Sequence, residues 1–321
     1  MSISSIALLQ LSKESNGSWY TYWCARAWAA CGCRIVHQLP LPRLLRVAIG
    51  RARLCFSVGL RRKRLVVPAS GRLDSVAWPW CYFYEIIPMI WDCWPFQQVH
   101  LENFIRRNRC RLCFCTSSQT AQLVGRHCPG TRAVWIPEGI DVDVYPKGDA
   151  LSAREIDVLE YGRVLVEVHA AFKQLRDEGR ISYYYPCEAG KRLETIDDLT
   201  RTIRKSKISI CFPQCDTNPQ RAGDIETLTQ RYWEAMLSGT LILGRAPREL
   251  IDFCGYNPVI DLDRSSDSAR RKVLEVLAHI EDYQELVDRN EKFARENAPW
   301  SKRVPMMLRA LQGLDQKGGV R

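Results

Sequence analysis

Between Glu14 and Asp74 the chain carries no acidic residue at all. That stretch holds Arg43, Arg46, Arg51, Arg53, Arg61, Arg62, Lys63 and Arg64, so no carboxylate nearby in sequence offsets them and the field is left to seek phosphates, of lipid or of nucleic acid. The imbalance is local. Residues 1–147 hold 19 Lys+Arg against 8 Asp+Glu, a net +11, whereas residues 148–321 hold 27 against 28, a net −1.

Other absences narrow the class. No apolar block of signal-peptide form is present, so export is not expected. Residues 19–36, WYTYWCARAWAACGCRIV, are broken by Arg26 and Arg34 and too short to span a bilayer, which leaves contact with the membrane interface as the most this segment offers. No zinc finger, RNP motif, helix-turn-helix, internal repeat or low-complexity tract is visible. The 14 cysteines are scattered through apolar runs such as Arg111-Leu-Cys-Phe-Cys115, as reduced cytosolic thiols are. Cys110, Cys113 and Cys115 have a loosely metal-like spacing, but on a strand Cys113 and Cys115 share a face without further nearby ligands, and no metal is expected.

What is present is a soluble balance, 46% hydrophobic and 26% charged over 321 residues, enough for two domains. Residues 41–60, with Arg43, Arg46, Gly50 and Arg53 at helical spacing, read as a basic amphipathic helix, lying either on an anionic membrane or against its own domain. Apolar runs then alternate with helical ones. Strands are expected at 65–67, 86–91, 110–115 and 133–136, and helices at 75–85, 96–108 and 117–126. The rhythm restarts after residues 146–154, with strands at 155–161, 181–185, 208–212 and 259–262 and helices at 164–178, 195–205 and within 266–297. Such alternation builds parallel sheets covered by helices. The boundary falls near residue 147, giving domains 1–147 and 148–321.

In an open parallel sheet the ligand crevice lies beyond the carboxyl ends of the strands. Gly162-Arg163 and residues 213–229 end there, as does the start of the helix in TLTQRYWEAMLSGTLILG, residues 227–244. Thr227 and Gln230 read as a capping box that opens this helix near residue 228, with free amides and the helix dipole attracting phosphate. Arg163 offers a forked guanidinium to the same diphosphate. Arg231 and Glu234 share a helix face, either as an exposed ion pair or toward a ligand, in which case Glu234 accepts from the vicinal hydroxyls of a ribose. Ser238 and Gly239 either let backbone approach a ligand or cap the helix in a left-handed turn. In the first half, Asp92 and Trp94 end a strand as an acid beside an aromatic, suited to an acceptor hydroxyl and a sugar face, or as a helix cap with packed rings. Glu138 reads as a turn residue.

With seven residues between Glu226 and Glu234, the string Glu234-Ala-Met-Leu-Ser-Gly-Thr-Leu-Ile-Leu243 resembles the E-x7-E region of family 4 (group 1) of the GT-B glycosyltransferases. IDVLEYGR, residues 156–163, is similar to the first strand and G-R of that family's donor domain, and WIPEGID, residues 135–141, resembles the segment before it. The resemblance implies an α/β fold of two Rossmann-like domains facing across a cleft, with the nucleotide-diphosphate sugar on the C-terminal domain and the acceptor on the N-terminal one. It implies transfer with retention, with no metal and no cofactor, the nucleotide-sugar being a substrate. By position, Glu234 would bind the ribose, Glu226 would approach the sugar ring and Arg163 would hold the diphosphate, with Gly162, Ser238 and Gly239 around the donor. Arg231 belongs to neither family pattern; it enters the expected donor site as a cation one turn into a helix whose start, with Thr229, faces phosphate.

The sequence also departs from that pattern. Residues 164–171, VLVEVHAA, lack the family's lysine-glycine pair, leaving His169 or Lys173 to substitute. Gly223-Asp-Ile-Glu-Thr-Leu replaces glycine-phenylalanine-glycine, and the first sixty residues show no opening strand with a glycine-rich loop. The expected protein is a retaining glycosyltransferase of polysaccharide or glycolipid assembly, cytoplasmic and peripheral on the inner membrane face, with a glycan or lipid-linked acceptor and no nucleic acid. The alternatives are a nucleotide-sugar epimerase of GT-B fold, or a non-catalytic protein binding lipid or nucleic acid on a degenerate nucleotide fold.

Overall fold

A computed structural model describes residues 5–11, 19–56, 63–71, 73–189, 193 and 195–316. Two compact units divide the described residues: one drawn from Met1–Ile140 and Trp300–Arg321, the other Asp141–Pro299. Arg61 and Arg62 lie outside the described residues.

The first unit is built on strands β1 (Ile6–Gln10), β2 (Arg34–His37), β3 (Arg64–Ala69), β4 (Glu85–Ile90), β5 (Leu112–Cys115) and β6 (Arg132–Trp135), in the order β2-β1-β3-β4-β5-β6. Every pairing is parallel. Helices α1 (Trp19–Ala30), α2 (Arg43–Arg51), α3 (Leu73–Ala77), α4 (Pro95–Asn108) and α5 (Ser118–His127) connect them.

Contrary to expectation, the first sixty residues do supply an opening strand. Ile6, Ala7, Leu8 and Leu9 are all buried, so β1 shows no inside–outside alternation, and a five-residue strand flanked on both sides gives little periodicity to read. The expected helix over 75–85 is broken: α3 stops at Ala77, and a 3-10 turn over Trp80–Tyr82 leads into β4.

One member of the basic run is structural. Arg64 and Glu85 are register partners across β3 and β4, and the buried Arg64 donates Nε to Glu85 Oε2 at 3.1 Å and Nη1 to Leu311 O at 2.8 Å.

The second unit repeats the plan with β7 (Ile156–Leu159), β8 (Tyr183–Tyr184), β9 (Ser206–Cys211), β10 (Leu241–Gly244) and β11 (Ile260–Asp261), ordered β11-β10-β9-β7-β8 and again all parallel. Its helices are α6 (Val166–Asp177), α7 (Ile196–Arg204), α8 (Gln214–Thr217), α9 (Pro219–Ala222), α10 (Gln230–Leu237), α11 (Arg248–Cys254), α12 (Ser266–Ala278) and α13 (Gln284–Asn297). The span expected as a long loop, residues 213–226, contains the short helices α8 and α9.

The division falls at residue 140 rather than 147, and the last helix, α14 (Trp300–Gln316), belongs with the first unit. Its Trp300, Val304, Met307 and Leu311 form one apolar stripe, all buried, and the helix packs on α1 and β5. A charge balance that changes along the chain cannot show that a terminal helix returns to the domain the chain has left.

Among the described residues no cysteine pair is joined in a disulfide, no group of three or more His, Cys, Asp or Glu is placed to hold a metal ion, and no helix is long and apolar enough to cross a membrane.

Candidate functional site

In the second sheet β7 lies between β8 and β9, so the chain leaves β7 toward one edge and returns on its other side. This switch in direction opens a crevice beyond the carboxyl ends of β7 and β9. Arg231 spans it. From the first turn of α10 its Nη1 donates to Tyr161 O and Arg163 O, both at 3.3 Å, and its Nη2 to Phe212 O at 3.2 Å. A guanidinium is thus fixed by three carbonyl dipoles, which leave its charge unneutralised.

Glu234, one turn further along α10, is 6% exposed, and among the described residues it forms no ion pair with Arg231. Its Oε1 accepts from Tyr145 Oη at 3.2 Å and its Oε2 from Tyr161 Oη at 3.0 Å. Burial raises the Glu234 carboxyl above its ordinary value, opposed by the two hydroxyls and by the charge of Arg231. Burial and the adjacent Glu234 raise both tyrosines, which therefore stay protonated as donors. Tyr145 is held from α13, where Arg295 donates to Val142 O at 2.8 Å and to Tyr145 O at 2.7 Å. A carboxylate has about four lone-pair positions, so two hydroxyls leave acceptor capacity for a ligand.

The expected capping box is not formed. The N-cap of α10 is Thr229, without a side-chain cap, and Gln230 is the first helical residue rather than the third. Consequently Thr227 Oγ1, Thr229 Oγ1 and Gln230 Nε2 are buried without a hydrogen-bond partner. Three orphaned polar atoms within four residues, beside helix amides that lack intrahelical partners, make the opening of α10 the most polar-hungry point of the sheet edge.

Gly162, at φ +77°, turns the chain after β7, and its carbonyl accepts from Tyr185 Oη at 3.4 Å; Arg163 beyond it is exposed. Ser238 and Gly239 lie elsewhere. Gly239 has φ +64° and is separated from β10 only by Thr240, so both residues sit at the amino edge of the sheet, opposite the crevice. There they end α10: Ser238 O accepts from Gly148 N at 3.0 Å and from Arg154 Nη2 at 3.2 Å. Their role is the cap.

Glu226 enters a charge network that the sequence did not announce. Its Oε1 pairs with Arg245 Nη1 and its Oε2 accepts Arg248 N at 2.8 Å. Arg245 also grips the buried Asp216, with Nε at 2.6 Å and Nη2 at 3.0 Å, and Arg264 joins the same carboxylate. These side chains follow β9, β10 and β11, and they fasten the segment carrying Glu226 to the sheet. Leu228 N, donating to the buried Glu249 Oε1 at 2.6 Å, adds a further tie. A signal was available: Leu243-Gly244-Arg245 repeats the strand–glycine–arginine pattern of Tyr161-Gly162-Arg163.

In the first unit Asp92 lies two residues beyond β4 with φ +47°, a left-handed conformation uncommon outside glycine, and Trp94 rather than Asp92 is the N-cap of α4. Trp94 is 1% exposed, so its ring is committed to the core and cannot stack on a ligand. The exposed aromatic at this point is Phe96 at 59%. Glu138 is a buried acceptor as well as a turn residue, taking Trp91 Nε1 at 3.1 Å.

No family model and no curated protein sequence matches this chain. Solved structures do. Alr3699/HepE of Anabaena in complex with UDP and glucose aligns with a TM-score of 0.63 at 10% identity, covering 96% of this chain and 99% of that one. Sucrose-phosphate synthase from Thermosynechococcus elongatus aligns at 0.66 and 11% identity, covering 97% and 99%. A glycosyltransferase from Rickettsia africae aligns at 0.57 and 10%, covering 95% and 97%. The chain has the GT-B fold of these proteins, with two Rossmann-like domains.

Proposed function

We propose that this GT-B chain is a glycosyltransferase that binds a nucleotide-diphosphate sugar at the carboxyl edge of its second sheet and passes the sugar to a glycan or lipid-linked acceptor. The observation that carries the reading is the pairing of Arg231 and Glu234 on one helix face at the switch point, the first spanning the ends of β7 and β9 and the second buried under two tyrosine hydroxyls.

In this reading Tyr145 and Tyr161 orient Glu234, whose remaining lone pairs accept the ribose hydroxyls. The start of α10, with Thr229 at its cap, receives the diphosphate, and Arg231 and Arg163 offset its charge. As the bond from anomeric carbon to phosphate oxygen breaks, negative charge grows on the departing nucleotide. Cations and amides already in place stabilise it without reorganisation. Glu226, held by Arg245, faces the sugar, and transfer retains the anomeric configuration. Asp92 receives the acceptor hydroxyl in the first unit. The nucleotide-sugar is a substrate, and neither a metal nor a cofactor takes part.

The membrane belongs to the same proposal. On α2 only Ile49 is buried, while Leu44 is 84% exposed, Leu45 43% and Val47 37%, beside the exposed Arg43 and Arg51. Apolar side chains displayed among guanidinium groups suit an anionic bilayer surface, with each cation contributing about 1 kcal/mol. The test of the enzyme is release of UDP or GDP from a panel of sugar donors by the wild type and by Glu234→Ala. If no donor is turned over or bound by the wild type, the proposal fails.

A further inference from the structure

The chain passes from the first unit to the second between Ile140 and Asp141 and returns between Pro299 and Trp300. On the first unit's side the two passages are fastened to each other. Arg303 Nε donates to Pro137 O at 3.0 Å, and Gly139 backs on the Trp300 ring so closely that a Cβ there would stand 2.8 Å from Trp300 Cδ2. Between them Glu138, 8% exposed, accepts from Trp91 Nε1, and Trp91 is the residue before Asp92.

On the second unit's side the same passages lead to Glu234. Val142–Val144 form one 3-10 turn, and Tyr145 at its end is 1% exposed and donates to Glu234 Oε1 at 3.2 Å. Arg295 of α13 binds this turn from the other side, through Val142 O and Tyr145 O, and its Nη2 also reaches Leu237 O, at the end of α10, at 3.3 Å. The rest of α13 packs along α10, with the Phe293 ring stacked on the fully buried Trp233, centroids 6.4 Å apart, and the helix stops two residues before Pro299. The helix that carries Glu234 is therefore tied to both passages, and residues 138–145 run from a carboxylate beside the strand end of Asp92 to a hydroxyl on Glu234.

We propose that Tyr145 and Arg295 are positioning residues that couple filling of the nucleotide site to the passage between the units: a ribose on Glu234 tightens residues 141–147, and those residues in turn tighten the hold on the ribose. Hydroxyls donated by a ribose favour the ionised form of Glu234, and a phenol donates more strongly to a carboxylate than to a neutral acid. The Tyr145 bond strengthens, and the backbone that carries it opens less often. Such coupling is reciprocal, so the factor by which the ligand slows opening is the factor by which Tyr145 raises ligand affinity. No covalent bond is made or broken. The inference rests on the glycosyltransferase reading and adds to it a route from the nucleotide to the point where the chain changes unit.

The test is hydrogen exchange read by mass spectrometry on the full chain, as wild type, Tyr145→Phe, Tyr161→Phe and Arg295→Lys, each without ligand and saturated with UDP, GDP or inorganic pyrophosphate. In the wild type UDP or GDP should slow exchange of residues 141–147 about fivefold or more, and pyrophosphate, which brings no ribose, should not. Tyr161→Phe also takes a hydroxyl from Glu234, but from two residues beyond β7, so it should keep this slowing. Tyr145→Phe should lose it and bind the nucleotide more weakly by the same factor, whereas a merely structural tyrosine would change exchange equally with and without nucleotide. No slowing in a wild type that binds nucleotide, slowing that survives in a folded Tyr145→Phe, equal loss in both tyrosine variants, or equal slowing by pyrophosphate overturns the inference alone. A wild type that binds neither UDP nor GDP overturns the glycosyltransferase reading and the inference with it. Should Tyr145→Phe not fold, Arg295→Lys decides: it keeps the charge but loses the fork over the carbonyls of Val142 and Tyr145, and the slowing at residues 141–147 should fall while that at α10 stays.

Discussion

Replacing Glu234 by alanine and by glutamine should separate its two burdens. In the folded protein its carboxylate is the acceptor for Tyr145 and Tyr161, both buried. Alanine leaves two hydroxyls without an acceptor, at about 1–3 kcal/mol each, so the second unit should lose roughly 2–6 kcal/mol, less where a water enters the vacated space. Glutamine keeps an oxygen for one tyrosine and sets its amide against the other, whose hydroxyl rotates to accept, so the loss should be under about 1 kcal/mol.

The pH dependence gives the sign. Because burial raises the folded carboxyl above 4.5, its stabilising contribution is complete below about that pH and is lost as pH rises through the folded value. The glutamine variant, which does not ionise, should therefore gain on the wild type as pH rises above about 4.5. Nucleotide binding should move the other way. A neutral amide is a weaker ribose acceptor than a carboxylate, and UDP or GDP affinity should fall about tenfold or more. Thermal unfolding between acid and neutral pH, with calorimetric titration of the nucleotides, reads both. A glutamine variant that binds as the wild type does would show that Glu234 supports tyrosines and no ligand. An alanine variant as stable as the wild type would refute the hydroxyl accounting.

Arg231→Met strips three carbonyl oxygens of their donor and should destabilise the second unit by about 1–3 kcal/mol in urea unfolding while weakening diphosphate more than nucleoside; the reverse selectivity would argue against a phosphate role. Arg245→Ala takes one guanidinium from both Glu226 and Asp216. We expect a cost of about 1–3 kcal/mol, discounted because Arg245 is one-third exposed, and a larger fall in kcat than in donor affinity; an unchanged kcat would make the network purely structural. Leu44→Gln with Val47→Gln should abolish flotation with anionic liposomes, and raised salt should weaken it in the wild type; flotation that survives both would dismiss α2 as the contact. Proton NMR of the first-formed product should show the donor's anomeric configuration, and an inverted product would remove retention from the proposal.

Alternating apolar runs made the two parallel sheets legible, because a buried strand followed by an amphipathic helix leaves a local mark. β1 escaped because a uniformly buried five-residue strand has no alternation, and α14 was not assigned to the first unit because domain membership is a matter of packing rather than order along the chain. Glu234 stood out in sequence, but its tyrosine partners did not: Tyr145 comes from 89 residues away and Tyr161 from 73. Asp216 was similarly silent, and Arg245 was marked only by following a strand and a glycine; both are ordinary charges until three strand ends bring them together.

Composition and periodicity therefore settled the class of fold, and the spacing of Glu226 and Glu234 singled out the sheet edge and the helix at which a donor is proposed, since each of these depends on contacts a few residues long. Only the tertiary structure decided which side chains meet there. It turned Trp94 into the core, put Ser238 and Gly239 at the opposite edge, fastened Glu226 to Arg245 and set His169 on the buried carboxylate of Glu160. Those outcomes depend on the direction each side chain takes after distant segments have packed, and no local pattern records it.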